Sequence, residues 1–241
     1  MSKPLKKSAF SQGIMQISST AKEVVGTKRI LADGREFHYA KAGSSALSAG
    51  KISQAAAIAA AVMNKASVAA AIGSRILTLT IGSATYAADY FKGGFLQIND
   101  ATSEGYQYPI ESSSAVTAGT SITISLGEPL LVALTTSSEF TLVHSPFMAT
   151  VETTTEEALY VGIPPVAVTA AYYYWSQTKG PAVCLQSSTP AVGSMLTGSA
   201  TAGAVAAINS TLDIDQPIIG IHMGTVGVAT EYKPLCLCLP F

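Results

Sequence analysis

Charge is what this sequence most lacks. Only 12% of its 241 residues are Asp, Glu, Lys or Arg, about half the ~25% of an ordinary soluble domain. The 14 basic and 15 acidic side chains leave a formal net charge of −1. That balance excludes the basic excess of a nucleic-acid-binding domain and the high net charge of a disordered tail. Cysteine is scarce and odd in number, at three, which excludes a disulfide scaffold; Cys184, Cys236 and Cys238 fit a reducing compartment. Aromatic residues make up 7%, with a single tryptophan, so the stacking platforms of a glycan cleft are in short supply. Long apolar runs are missing too. The best, within Ala55–Gly73, is interrupted by Asn64 and Lys65 after the nine residues Ala55–Met63, whereas a membrane span needs about 20. Lys3, Lys6 and Lys7 imitate the start of a signal peptide, but Ser8–Lys22 offers no apolar stretch to follow them. Neither a membrane segment nor a secretion signal is expected.

What is there is a small-residue, apolar chain. The apolar fraction is 48%, much of it Ala and Val, with Ser, Thr and Gly between. A surface so poor in charge risks self-association as a free monomer and suits a protein that partners cover. The few charges are also unevenly placed. Residues 1–51 hold nine of the 14 basic and three of the 15 acidic side chains, a net +6, which leaves −7 for the rest. A cationic segment on an acidic body is able to dock on a neighbouring copy or on another acidic surface.

Along the chain, residues 1–22 read as a basic arm without sustained periodicity. In Lys28–Ala40, Asp33-Gly34 separates two short runs and predicts a β-hairpin. Ile52–Ile72 is Ala-rich; propensity allows a helix, but without a charged face an extended small-residue strap packed along another subunit is an equal alternative. From Arg75 onward β signals recur: Arg75–Ile81, Gly94–Asn99, Tyr106–Ile110, Ser121–Leu126, Leu130–Leu134 and Glu139–Val143. After the acidic Val151–Ala158, a linker or edge strand, further candidates are Leu159–Pro165, Ala171–Lys179, Ala182–Gln186, Ile218–Met223 and Tyr232–Leu239. Thr197–Thr211 reads as a loop. The expectation is a mainly β fold with little helix: two small barrel- or sandwich-like regions and an extended N-terminal arm. The domains expected are an arm and hairpin over 1–51, a connector over 52–74, a β subdomain over 75–147 and a second β domain over 148–241.

Catalytic patterns are not found. His38, His144 and His222 lie far apart, without metal-ligand spacing. Cys236 and Cys238 form C-x-C; on a strand both point one way, into a core or an interface. The acid pairs Asp89/Asp100, Glu156/Glu157 and Asp213/Asp215 lack the accompanying features of a carboxylate site, and a calcium site at Asp213 and Asp215 is only a weak alternative. No nucleophile elbow, phosphate loop or dinucleotide motif occurs. The reading is therefore not an enzyme, with no cofactor and no metal. The most unusual stretch is Ala170–Pro181, AAYYYWSQTKGP. On a strand, Tyr172 and Tyr174 face one way and Tyr173 and Trp175 the other, so both faces must be buried. Tyr172, Tyr174 and Trp175 are expected as core or interface anchors, with Gly180-Pro181 ending the strand.

Four tracts carry a resemblance. GREFHYAKAGSSALSAGK (Gly34–Lys51) resembles a hairpin and small-residue turn near the N-terminus of tailed-phage virion proteins. AAYYYWSQTKGPA (Ala170–Ala182) resembles an aromatic strand of phage head decoration, or cement, proteins, with Tyr174 and Ser176 where that pattern has Gly and Val. Gly220–Val228 is similar to a late strand of such proteins, and Gly93–Ile110 to an inserted β segment of phage structural proteins. The resemblance implies a β-rich structural protein of the virion, made in the host bacterial cytoplasm. Such a protein sits on the capsid surface, bridges major capsid subunits and often forms a homotrimer. A head fibre, tail or receptor-binding component is the alternative. On that reading Lys6, Lys7, Lys28, Arg29 and Arg35 are expected to contact the shell or a neighbouring copy, and neither nucleic acid nor membrane is a partner.

Overall fold

The computed structural model describes residues 10–208 and 216–241. The chain is mainly β, as its turn-punctuated short runs require; among the described residues the helical structure is a 3-10 turn at Ala60–Val62. It divides into two compact units. One combines the chain up to Ala56 with Pro146–Phe241, and the other is Ala57–Ser145. The serial division expected from the sequence is thus corrected to an insertion: the N-terminal hairpin and the C-terminal β region build one unit, and the middle of the chain forms the other.

In chain order, the first unit opens with β1 (Lys28–Ile30), β2 (Glu36–Lys41) and β3 (Ser53–Gln54). The inserted unit holds β4 (Lys65–Ala66), β5 (Ile76–Tyr86), β6 (Phe95–Asp100), β7 (Gln107–Ser113), β8 (Val116–Leu126) and β9 (Glu139–Val143). The chain then returns for β10 (Val151–Glu152), β11 (Tyr160–Gly162), β12 (Tyr173–Leu185), β13 (Met195–Gly198), β14 (Val205–Ala207), β15 (Gly220–His222) and β16 (Tyr232–Cys238).

The inserted unit is one antiparallel sheet in the order β4-β9-β6-β7-β8-β5, with β4 also against β5, so that it nearly closes into a barrel. Alternation along each strand turns one set of side chains inward. Leu77, Leu79 and Ile81 from β5, Leu96 and Ile98 from β6, and Ile122, Ile124 and Leu126 from β8 meet Phe91, Phe140 and Leu142 in a buried apolar interior. The expected strand at Leu130–Leu134 is corrected: only Leu134 makes an isolated bridge, to Ala70. Its apolar run arises because Leu130 and Leu134 both plug the barrel from a turn. The Ala-rich 52–72 segment is extended but for the 3-10 turn at Ala60–Val62, and it pairs within its own chain. Its pairing is spent on β3 and β4, in sheets of the two units, and Ile52 and Val62 anchor it at 0% and 1% exposure.

The first unit is built on β12. A seven-stranded antiparallel sheet runs β1-β2-β12-β16-β15-β13-β14, beside a three-stranded sheet β10-β3-β11, in which Val151–Glu152 is an edge strand. The β1–β2 hairpin forms around Asp33-Gly34 as expected. Gly34 sits at φ +82, a left-handed conformation suited to glycine, and Leu31 N–H closes the loop on Arg35 O at 2.9 Å. β12 pairs with β2 over Tyr173–Lys179 and with β16 over Lys179–Leu185, and a bulge falls between Gln177 and Lys179. The expected strand end at Gly180-Pro181 is therefore corrected: β12 continues through both. Pro181 is tolerated because β2 has ended, and no strand on that edge needs its missing N–H. Gly162, at φ +120, lets β11 press against Gln177 O of β12, where a Cβ would collide. The Thr197–Thr211 loop is also corrected. Gly198 and Val205 are paired in the β13–β14 hairpin, whose small residues make room for the buried Tyr160 ring, with Gly198 N–H donating to its hydroxyl at 3.1 Å; residues 209–211 lie outside the described residues.

The arm expected over 1–22 is corrected in its described part. From Phe10 on, the chain is docked on β12. Phe10 packs edge-on against Trp175 at 5.1 Å, Trp175 Nε1–H donates to Gln12 O at 3.0 Å, and Ser18 bridges Tyr173.

Candidate functional site

The aromatic run distributes as the period-2 reading requires. Trp175, fully buried, joins Tyr39, Phe37 and the half-buried Tyr173 on one face. Tyr174, also fully buried, points the other way, with its hydroxyl 2.9 Å from Thr150 Oγ1; burial pushes that phenol above its ordinary pKa. Tyr172 is half-buried. Tyr174 and Trp175 are thus core anchors, each worth roughly 1.5–3 kcal/mol of burial or more.

The three expected contact cations within the described residues are all engaged inside the chain. Lys28 pairs with Glu36 at 2.5 Å and donates to Phe241 O at 3.3 Å. Arg29 donates to Gln12 O at 3.0 Å and lies over the Phe10 and Trp175 rings, 4.8 and 5.5 Å from their centroids. Arg35 donates through Nε to Asp33 Oδ2 at 2.7 Å and stacks near Phe37. The Lys28 hydrogen bond holds the Glu36 carboxyl below its ordinary pKa. Lys6 and Lys7 lie outside the described residues, as do Asp213 and Asp215.

The sequence did not single out the surface these strands leave uncovered. On the seven-stranded sheet, Pro181 of β12 stands opposite Cys236 of β16, Cys236 opposite Ile221 of β15, and Ile221 opposite Met195 of β13. This row crosses four strands, and all four of its residues are exposed. Ile221 and Met195 are 48% and 51% exposed. A second row sets Val183 opposite Pro234, and a third Leu185 opposite Tyr232; Val183 and Tyr232 are 52% and 47% exposed. Cys236 and Cys238 belong to this outward face, exposed, which sets aside the core half of the core-or-interface expectation. Cys184 is the buried thiol, its pKa pushed up to about 12 by burial. The residues opposite, Leu235 and Leu237, close the core with Cys184, Leu196 and Ile219. The alternation in YKPLCLC was legible in the sequence; the row it aligns with was not, since that depends on register across three other strands.

At one end of this face the sheet dips into a cleft of about 640 Å³, walled by Met15, Pro164, Pro165, Val183, Tyr232 and Pro234. Two polar side chains reach it, Arg35 and Gln177. Gln177 is 5% exposed, and its Nε2 is tied to Lys179 O at 3.2 Å and to Pro181 O at 2.8 Å. The amide is thereby held in one orientation.

The histidines remain apart. His38 stacks on Phe147 at 4.6 Å with Nδ1 3.1 Å from Thr178 Oγ1, and burial lowers its pKa to about 4. His144 Nδ1 lies 2.9 Å from Ser145 O, and His222 Nε2 lies 2.7 Å from Thr225 O. Among the described residues no cluster of three His, Cys, Asp or Glu side chains has metal-binding geometry. No protein-family model, curated protein or solved structure matches the chain.

Proposed function

We propose that this chain is a structural virion protein that decorates a bacteriophage capsid and stabilises it by bridging major capsid subunits. The observation that carries the reading is the exposed apolar face aligned across β12, β16, β15 and β13. Contiguous apolar surface of this kind marks an interaction site, and the low charge of the chain suits a protein covered in its working state. The phage-like tracts support the same reading. Gly34–Lys51 contains β2, Ala170–Ala182 most of β12 and Gly220–Val228 β15, all in the seven-stranded sheet, while Gly93–Ile110 contains β6 and the start of β7 in the inserted unit. Binding through the open face would hold adjacent subunits against the outward pressure of packaged DNA, and three copies around a local three-fold axis would repeat the contact with avidity.

Co-sedimentation with expanded, undecorated heads tests the reading. Wild-type protein is expected to bind saturably. Met195→Glu with Ile221→Glu, two exposed positions, is expected to lower affinity by about tenfold or more while leaving the melting temperature close to wild type. Heads that bind both proteins equally would remove the open face from the proposal. Stable oligomers in solution that ignore heads would move the chain to a fibre or tail role.

A further inference from the structure

β12 changes partner halfway along its length, which leaves two half-edges for other parts of the chain to cover. On the first edge, β2 occupies Tyr173–Lys179. On the second, β16 occupies Lys179–Leu185. The remainder of the second edge is covered at two points: Ser18 bridges Tyr173, and Ile163 exchanges both backbone hydrogen bonds with Gln177 at 2.9 Å. The remainder of the first edge is not. Among the described residues, its next backbone hydrogen bond beyond Lys179 is Leu185 N–H to Gly50 O at 3.0 Å. Between these two points, Pro181 has no N–H, and its carbonyl accepts the Gln177 amide. Alternation turns the N–H and C=O of Val183 to the same edge as those of Leu185. This gap opens into the cleft.

We propose that the cleft is a peptide-docking site, in which a short extended segment of a partner chain pairs with β12 at Val183, seats an apolar side chain against Tyr232 and Pro234, and places a carboxylate on Arg35. The proposal goes beyond capsid decoration and holds for any partner that presents such a segment. Three features define the occupant. The unpaired Val183 edge asks for backbone, as in strand addition, where main-chain bonds supply affinity and flanking pockets supply choice. The proline and tyrosine walls ask for an apolar side chain. Arg35 asks for an anion: Asp33 takes its Nε, and among the described residues its two Nη groups have no hydrogen-bond partner. Gln177 adds a further acceptor. With its Nε2 tied back to β12, its Oε1 has no donor among the described residues and offers itself to a backbone N–H.

Two readouts on the intact protein test this. In hydrogen exchange, the Val183 amide is expected to exchange as a nearly free amide while its neighbours Ala182 and Cys184, turned to β16, are protected. A protected Val183 would mean that the edge is already paired and would overturn the proposal. The second readout is a titration with the acetylated peptide Ser-Val-Glu-Val-Ser, followed by amide chemical shifts. Saturable shifts centred on Val183 are expected. Affinity should fall about tenfold with Arg35→Gln, with lysine in place of the peptide's glutamate, or with N-methylation of the peptide backbone. No shift at Val183 at about 1 mM peptide, or binding indifferent to all three changes, would overturn it. Neither readout involves heads, so its failure is separable from failure of the decoration reading.

Discussion

Arg29 and His38 show how a few charged or ionisable side chains behave in a chain with so little charge around them. Arg29 serves as a packing residue, its guanidinium spread over Phe10 and Trp175, where a cation over a ring contributes about 0.5–2 kcal/mol. His38 is held neutral. Burial disfavours its charged form first, the Lys28 ammonium adds to this, and Glu36 opposes it. An unfolded histidine titrates near 6.5, and this one near 4. Stability is therefore full above pH 6.5. It falls as pH drops, because the unfolded chain takes up a proton that the native state refuses. The loss levels off near pH 4 at about 3 kcal/mol. Urea midpoints measured across this window should show that slope, and His38→Gln, which keeps a partner for Thr178, should flatten it. An unchanged slope in the variant would place the acid sensitivity elsewhere.

At the scale of elements, the docked segment from Phe10 to Ser18 behaves as a further covering on β12. Gln12 lies at its centre. It accepts from Tyr39 Oη at 2.6 Å, donates to Tyr173 O at 3.1 Å, and offers its own carbonyl to Trp175 and Arg29. Removing the indole takes away the wall against which Phe10 rests. Trp175→Ala is expected to cost roughly 3–5 kcal/mol and to deprotect the Ser18 and Tyr173 amides, which bond to each other's carbonyls, before the rest of the sheet opens. A loss below about 0.5 kcal/mol, the range of an ordinary surface change, would contradict its burial.

For the whole molecule, the insertion predicts independence of the middle unit. Its first and last strands, β4 and β9, pair with each other, so its two chain ends leave from neighbouring strands, and its core draws on its own residues alone. Residues 57–145 expressed alone should give a dispersed β-type amide spectrum matching that of the full chain and should unfold cooperatively. A collapsed spectrum would show that the barrel needs the other unit in order to fold.

The sequence by itself determined the β class, the Asp33-Gly34 hairpin, the limits of Glu139–Val143 to the residue, and the two-sided burial of the Tyr-Tyr-Tyr-Trp run. Each of these rests on local information: side-chain period, turn chemistry, or the impossibility of placing consecutive residues on one face. Tertiary structure alone decided the rest. The Ala-rich segment became extended because its backbone found partners in two different sheets. Gly180-Pro181 failed to end β12 because β2 had already stopped pairing there. Lys28, Arg29 and Arg35 each found a partner within the chain, Arg35 close by in sequence at Asp33, Lys28 at Glu36 and at the distant Phe241, and Arg29 at Gln12. The open apolar face and the unpaired edge at Val183 depend on register between strands as distant as β2, β12 and β16, and pairing across such separations leaves no periodicity in the chain itself.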